Sequence, residues 1–168
     1  GACPEKWILE HPEKLEAIQR GYYAAGSDAV LAPTFGGNRP SLERNGLYDC
    51  VERNVELAKL SRGLGGGFVG GDLSPTGQFL RPYGDAAFDE IVAIYAEQAA
   101  AIEPYVDFFI SETNISLAEA RAAVVGIKSV SDKPVFVTLT VDKNGRTMSG
   151  DDMLCALLTL AELGISAF

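Results

Sequence analysis

The feature that most restricts this chain is a change of hydrophobic period that recurs along its whole length. Short apolar runs at 28–32, 67–71, 106–110, 134–141 and 165–168 alternate with longer stretches at 12–25, 47–62, 85–103, 116–131 and 150–163, where apolar residues fall at i, i+3 and i+4. The runs are β-branched or aromatic and too continuously apolar for strands with one wet face, so they predict buried parallel strands joined by helices. Gly26 and Gly164 stand where a left-handed residue would stop a helix. Strand follows strand at a mean spacing of roughly 34 residues, the length of a βαβ unit. Eight such units need about 250 residues. The expected fold is therefore α/β, a partial (β/α)8 TIM barrel in a single domain over residues 1–168 and truncated at both ends. A complete five-stranded flavodoxin-like binding module is the rival, but a doubly wound domain should open on a strand and this sequence opens on a helix.

Composition narrows the function classes. The 23 acidic and 14 basic residues leave a formal charge of −9, and no Lys/Arg cluster stands out as a phosphate-tracking surface, so a nucleic-acid partner is not expected. No clean apolar stretch approaches the roughly 20 residues of a membrane span and no leader is evident, which points to a cytoplasmic protein. Cys3, Cys50 and Cys155 show no CxxC or Cys/His pattern and read as reduced thiols, with Cys155 inside an apolar helix and expected in the core. His11, the one histidine, precedes Pro12 at a helix entrance, where a capping or surface role is expected. The glycine-rich stretch 63–71 enters a strand instead of leading into a helix, the wrong place for a dinucleotide fingerprint. Gly-x-Ser-x-Gly, Walker and His-Glu-x-x-His motifs are all missing, so hydrolase, nucleotidase and histidine-metal chemistries lose support. No catalytic residue and no metal ligand is assigned within the chain.

In parallel α/β folds ligands meet the carboxyl ends of the strands. The polar residues there are Thr34 beside Phe35, Asp72, Glu112 and Thr140. Glu112 follows a dry strand directly, where its carboxylate can hold an ammonium group or pair with a rim arginine. Asp72 has the same placement but abuts a Gly/Pro loop and reads equally as a turn former. Thr34 and Phe35 either line a pocket or close the barrel top, and Thr140 is open in the same way. Asn144-Gly145 reads as a tight turn.

Taken in order, Cys3-Pro4-Glu5, His11-Pro12-Glu13, Ala25-Gly26-Ser27-Asp28, Pro33-Thr34-Phe35-Gly36-Gly37-Asn38-Arg39, Gly71-Asp72-Leu73-Ser74-Pro75-Thr76-Gly77, Ser111-Glu112-Thr113 and Asn144-Gly145-Arg146 resemble the homocysteine S-methyltransferase family, methionine synthase barrels included. The resemblance implies that the chain supplies strands two to six of the barrel and that Glu112 matches the glutamate holding the amino group of homocysteine; Thr34, Phe35, Asp72 and Thr140, from their strand-end positions, are the further candidates for binding the substrate. It implies methyl transfer to a zinc-bound homocysteine thiolate, since metal coordination deprotonates a thiol whose ordinary pKa is about 8.5. In the family the zinc cysteines lie after strand six and near the last strand, outside this chain. Cobalamin, methyltetrahydrofolate or a corrinoid protein would act through other domains. Pro33 stands where relatives commonly carry Asn, and Asn114 where an aromatic is common, so a different thiol substrate, a corrinoid protein as methyl partner and a non-catalytic docking barrel are the alternatives.

Overall fold

The computed structural model describes residues 3–168. Helices α1 (Pro4–Glu10) and α2 (Pro12–Ala24) lead into β1 (Ala29–Leu31), and a short α3 (Arg39–Glu43) and α4 (Cys50–Arg62) lead to β2 (Phe68–Leu73). Next come α5 (Phe88–Ile102) with a 3-10 turn at Glu103–Tyr105, β3 (Phe108–Asn114), α6 (Leu117–Lys128), β4 (Val135–Leu139) and α7 (Met153–Glu162). The strands form one parallel sheet in the order β1-β2-β3-β4. A doubly wound sheet reverses its strand order at a switch point, whereas a barrel adds each strand beside the last. The sequential order therefore removes the flavodoxin-like rival and gives the partial (β/α)8 barrel.

Alternation along the strands decides which residues meet the helices. Val30, Val69, Leu73, Phe109, Val135 and Val137 point one way and are buried with Tyr95, Ile102, Val124 and Ile127 of α5 and α6 in one apolar cluster. The opposite face carries Phe68, Phe108, Ile110, Glu112 and Phe136, none of them buried, with Phe108 and Phe136 stacked at 4.9 Å. The continuously apolar runs predict strands buried on both faces; the helix-facing side is, whereas the other buries Gly70 and Asp72 but leaves its aromatic side chains partly open. Gly26 and Gly164 hold φ of +97° and +75° at the ends of α2 and α7, as the stop signals predict.

Three boundaries differ from expectation. The third strand runs on to Asn114, so Glu112 lies within the ladder and not after it. The segment at 165–168 contributes a single parallel bridge, Phe136 to Ala167, instead of a strand. Cys155 is exposed, not core: Ala156 and Leu160 are the buried residues of α7, while Leu154 and Leu158 on its other side are 62% and 60% exposed. His11 is exposed at the α1–α2 junction, makes no side-chain cap, and rests its ring on Trp7 at 4.8 Å. Gly145 takes φ +73° in the expected turn, closed by Asp142 Oδ1, which accepts the Asn144 and Arg146 amides.

The outer surface of α7 exposes Met153, Leu154 and Leu158, and the open sheet face exposes Leu31 and Phe68, large apolar side chains that favour association. The isolated 168-residue chain is expected to self-associate reversibly, with a sedimentation coefficient that rises with concentration. A concentration-independent monomer would contradict this.

Candidate functional site at the carboxyl ends of β2 and β3

The site is assembled from loops that buried polar side chains hold in place. Thr34, fully buried beyond β1, donates from Oγ1 to the carbonyl of Asp72 at 2.8 Å and accepts the Asp72 amide at 3.2 Å, tying the first strand end to the second. Gln98 of α5 donates to Thr34 O at 2.7 Å and to Asn54 Oδ1 at 3.2 Å, while Asn54 donates to Gly37 O at 2.7 Å. Asn38 caps α3 by accepting the Ser41 amide. Burial pushes the Cys50 thiol up to about 12, with the Glu97 carboxylate adding to the effect, so it stays a thiol hydrogen-bonded to Gly37 O and no nucleophile.

Glu5 closes this loop from the far end of the chain. Its carboxylate, 5% exposed, accepts the Gly36 amide at 2.7 Å and the Cys3 thiol at 3.3 Å. A Cβ at position 36 would lie 2.6 Å from Glu5 Oε1, so only glycine admits the contact.

The second loop hangs on Glu119. From the first turn of α6, its Oε1 accepts the Thr76 amide at 2.7 Å, the Thr76 hydroxyl at 2.8 Å and the Tyr95 hydroxyl at 3.3 Å. The single Tyr95 hydroxyl hydrogen is shared with the nearer Ser74 O at 3.0 Å, so the turn after β2 is held at both Ser74 and Thr76.

Between these supports Asp72 and Glu112 sit on adjacent strands of the open sheet face. The register pairs Asp72 with Ile110, which places Glu112 one pleat further along the same side. Burial drives the Asp72 carboxyl up to about 8, the Glu112 charge and a hydrogen bond to Glu112 push the same way, and Glu5 adds a smaller repulsion. Asp72 is 7% exposed and its Oδ1 has no hydrogen-bond partner. With Glu112 on the neighbouring strand of the same face, burial keeps Asp72 protonated near neutral pH, and an arriving cation can replace that proton.

The five residues singled out by position are thus not equivalent. Asp72 and Glu112 come together. Thr34 is sealed beneath Asp72 and acts on it through the backbone. Phe35 is 40% exposed and its carbonyl accepts the Ser74 amide. Thr140 lies past the end of β4, exposed, and lines a shallow hollow with Ile115, Asp142, Arg146 and Met148. Glu5, Gln98, Asn54, Tyr95 and Glu119 were not expected from the sequence. A signal existed for Glu5, which lies inside the Cys3-Pro4-Glu5 motif.

Among the described residues no group of three or more His, Cys, Asp or Glu side chains is placed to hold a metal ion, and no helix is long and apolar enough to cross a membrane.

Comparison with known proteins gives a consistent result. Residues 2–168 match the sequence model described as "Homocysteine S-methyltransferase". The chain is 30% identical over 181 aligned positions to methionine synthase of Mycobacterium tuberculosis, covering 97% of this chain and 15% of that protein. It is 27% identical to betaine–homocysteine S-methyltransferase 1 of Bos taurus, covering 89% of this chain and 38% of the relative. The metallated crystal form of the Escherichia coli homocysteine methyltransferase MmuM superposes with a TM-score of 0.81 at 16% identity, over 95% of this chain and 63% of that one, a likeness of fold. The chain spans less than two thirds of each of these relatives, from 15% of the first to 63% of the third.

Proposed function

Because the chain belongs to the homocysteine S-methyltransferase family, we propose that it forms the substrate-orienting wall of a domain that methylates the thiol of homocysteine to give methionine. The observation that carries this reading is the Asp72–Glu112 pair, with a buried and unpartnered Asp72 Oδ1 on the open sheet face. Homocysteine brings an ammonium group, which offers the donors and the positive charge that this pair lacks. In the proposal Glu112 takes the ammonium directly, Asp72 gives up its proton as the cation arrives, and Phe35 and Thr140 bound the space to either side. Thr34, being sealed, holds Asp72 and does not touch the ligand.

The zinc that such chemistry calls for does not fit the residues present. Cys3 binds Glu5, Cys50 is buried against Gly37, and Cys155 is exposed on α7, so the three thiols share no site. We place the thiolate-activating ligands and the methyl donor, whether a corrinoid or another carrier, in parts of a longer protein. This chain's share is orientation.

Glu112→Gln should weaken homocysteine binding about tenfold or more, because the charge-assisted hydrogen bond to the ammonium becomes a neutral one. Calorimetric titration of the intact protein reads this directly. Unchanged affinity would remove Glu112 from the site and the proposed function with it.

A further inference from the structure

The end of β3 is built in an unusual way. Thr113, next to Glu112, holds φ +61°, a left-handed conformation that β-branched residues avoid. The ladder to β4 slips between Ser111 and Asn114, leaving a bulge that spans Glu112. Asn114 closes it. Its Nδ2, in a residue with no exposed surface, lies 3.0 Å from Ser111 O, 3.0 Å from Ser111 Oγ and 3.2 Å from Thr138 O. Across the bulge the Thr113 amide donates to Thr138 Oγ1 at 3.0 Å, and Asn114 O accepts the Thr140 amide at 2.8 Å.

Each of these contacts lies on the backbone immediately before or after Glu112, or on the strand beside it. The side chain itself is half-buried on the face that carries Asp72 on the adjacent strand, so its aim depends on two backbone residues whose conformations the Asn114 amide and the Thr138 hydroxyl set. Left to local preference, Thr113 would return to extended backbone and the strand would continue its regular pleat.

We propose that Asn114 is a positioning residue, and Thr138 its partner, locking the left-handed bulge after Glu112 so that its carboxylate stays beside Asp72 to receive an ammonium group. The amide does what an aromatic side chain at position 114 would not: its two N–H hydrogens are shared among the Ser111 and Thr138 carbonyls and the Ser111 hydroxyl. The inference rests on the proposed role of Glu112 and adds to it how this chain, with Asn at 114, achieves that role.

A double-mutant cycle for homocysteine affinity, run by calorimetry on the intact protein, tests it. Asn114→Ala should weaken binding about tenfold when Glu112 is present, and by less than about twofold in the Glu112→Gln background, because the aim of an absent carboxylate has no further effect. Thr138→Val replaces an exposed hydroxyl with an isosteric methyl, keeps the strand intact, and should show the same dependence on Glu112. It carries the test if Asn114→Ala does not fold. Losses of equal size in both backgrounds would overturn the inference while leaving the role of Glu112 standing. No loss from Glu112→Gln alone would overturn both.

Discussion

Glu119→Ala should destabilise the protein by about 3–5 kcal/mol, a large share of what a domain of this size possesses. One carboxylate oxygen serves three donors, the Thr76 amide, the Thr76 hydroxyl and the Tyr95 hydroxyl, in a residue only 5% exposed. Truncation leaves the Thr76 amide and hydroxyl without an acceptor, while Tyr95 keeps the Ser74 carbonyl, and unpaired buried donors cost about 1–3 kcal/mol each before any relaxation. The same charge, together with burial, holds the Tyr95 hydroxyl well above its ordinary pKa, burial being the larger cause. Glu119→Gln keeps an acceptor oxygen in place and should recover more than half of the loss. Urea denaturation separates these outcomes, because the midpoint shifts while the slope stays constant if the native surface is unchanged. A loss below about 1 kcal/mol for Glu119→Ala would mean that the turn after β2 finds other acceptors, and the account of how that loop is held would fail. The effect should reach the site as well, since Ser74 and Thr76 fix the chain that leaves Asp72.

What was legible in the sequence follows from whether the signal was local. The parallel strands and the long helices announced themselves by period, and Gly26 and Gly164 by the left-handed turn that few other residues adopt at low cost. Helices α1 and α3, seven and five residues long, are too short to show a period at all. Cys155 was misplaced because α7 is apolar nearly all round, so its pattern named a helix without naming the face that is buried. The sequence places the end of β3 too early because the apolar run stops at Ile110, whereas the ladder continues through the polar residues to Asn114. Glu112 and Asp72 are singled out in the sequence because strand ends are where parallel sheets present polar groups. Their supports were hidden because each reaches across the chain: Glu5 meets Gly36 at a separation of 31 residues, Glu119 meets Thr76 at 43 and Gln98 meets Thr34 at 64. A buried carboxylate at such a distance looks in sequence like any surface acid.

Asp72 gives a pH signature that separates a site acid from a structural one. Its carboxyl has an ordinary pKa of 3.8 when the chain is unfolded and is raised to about 8 in the folded protein, by burial first and by Glu112 and Glu5 after it. Between those values the unfolded state has released the proton that the native state keeps. Stability contributed at this position is therefore complete below pH 3.8, declines as pH rises, and is gone above pH 8. At about 1.4 kcal/mol for each pKa unit, the full decline is at most on the order of 6 kcal/mol, or roughly 10–20 °C in Tm for a domain of this size. Asp72→Asn cannot ionise, so relative to the parent its Tm should climb steadily from pH 4 to pH 8 and end several degrees higher. The same substitution removes the negative charge that the proposed ammonium would meet, so the more stable variant should bind homocysteine less well, a trade-off expected where a site stores unfavourable burial for the use of its ligand. Parallel Tm curves for parent and variant across this range would show that Asp72 ionises freely in the folded protein, and the proton-sharing pair with Glu112 would have to be abandoned.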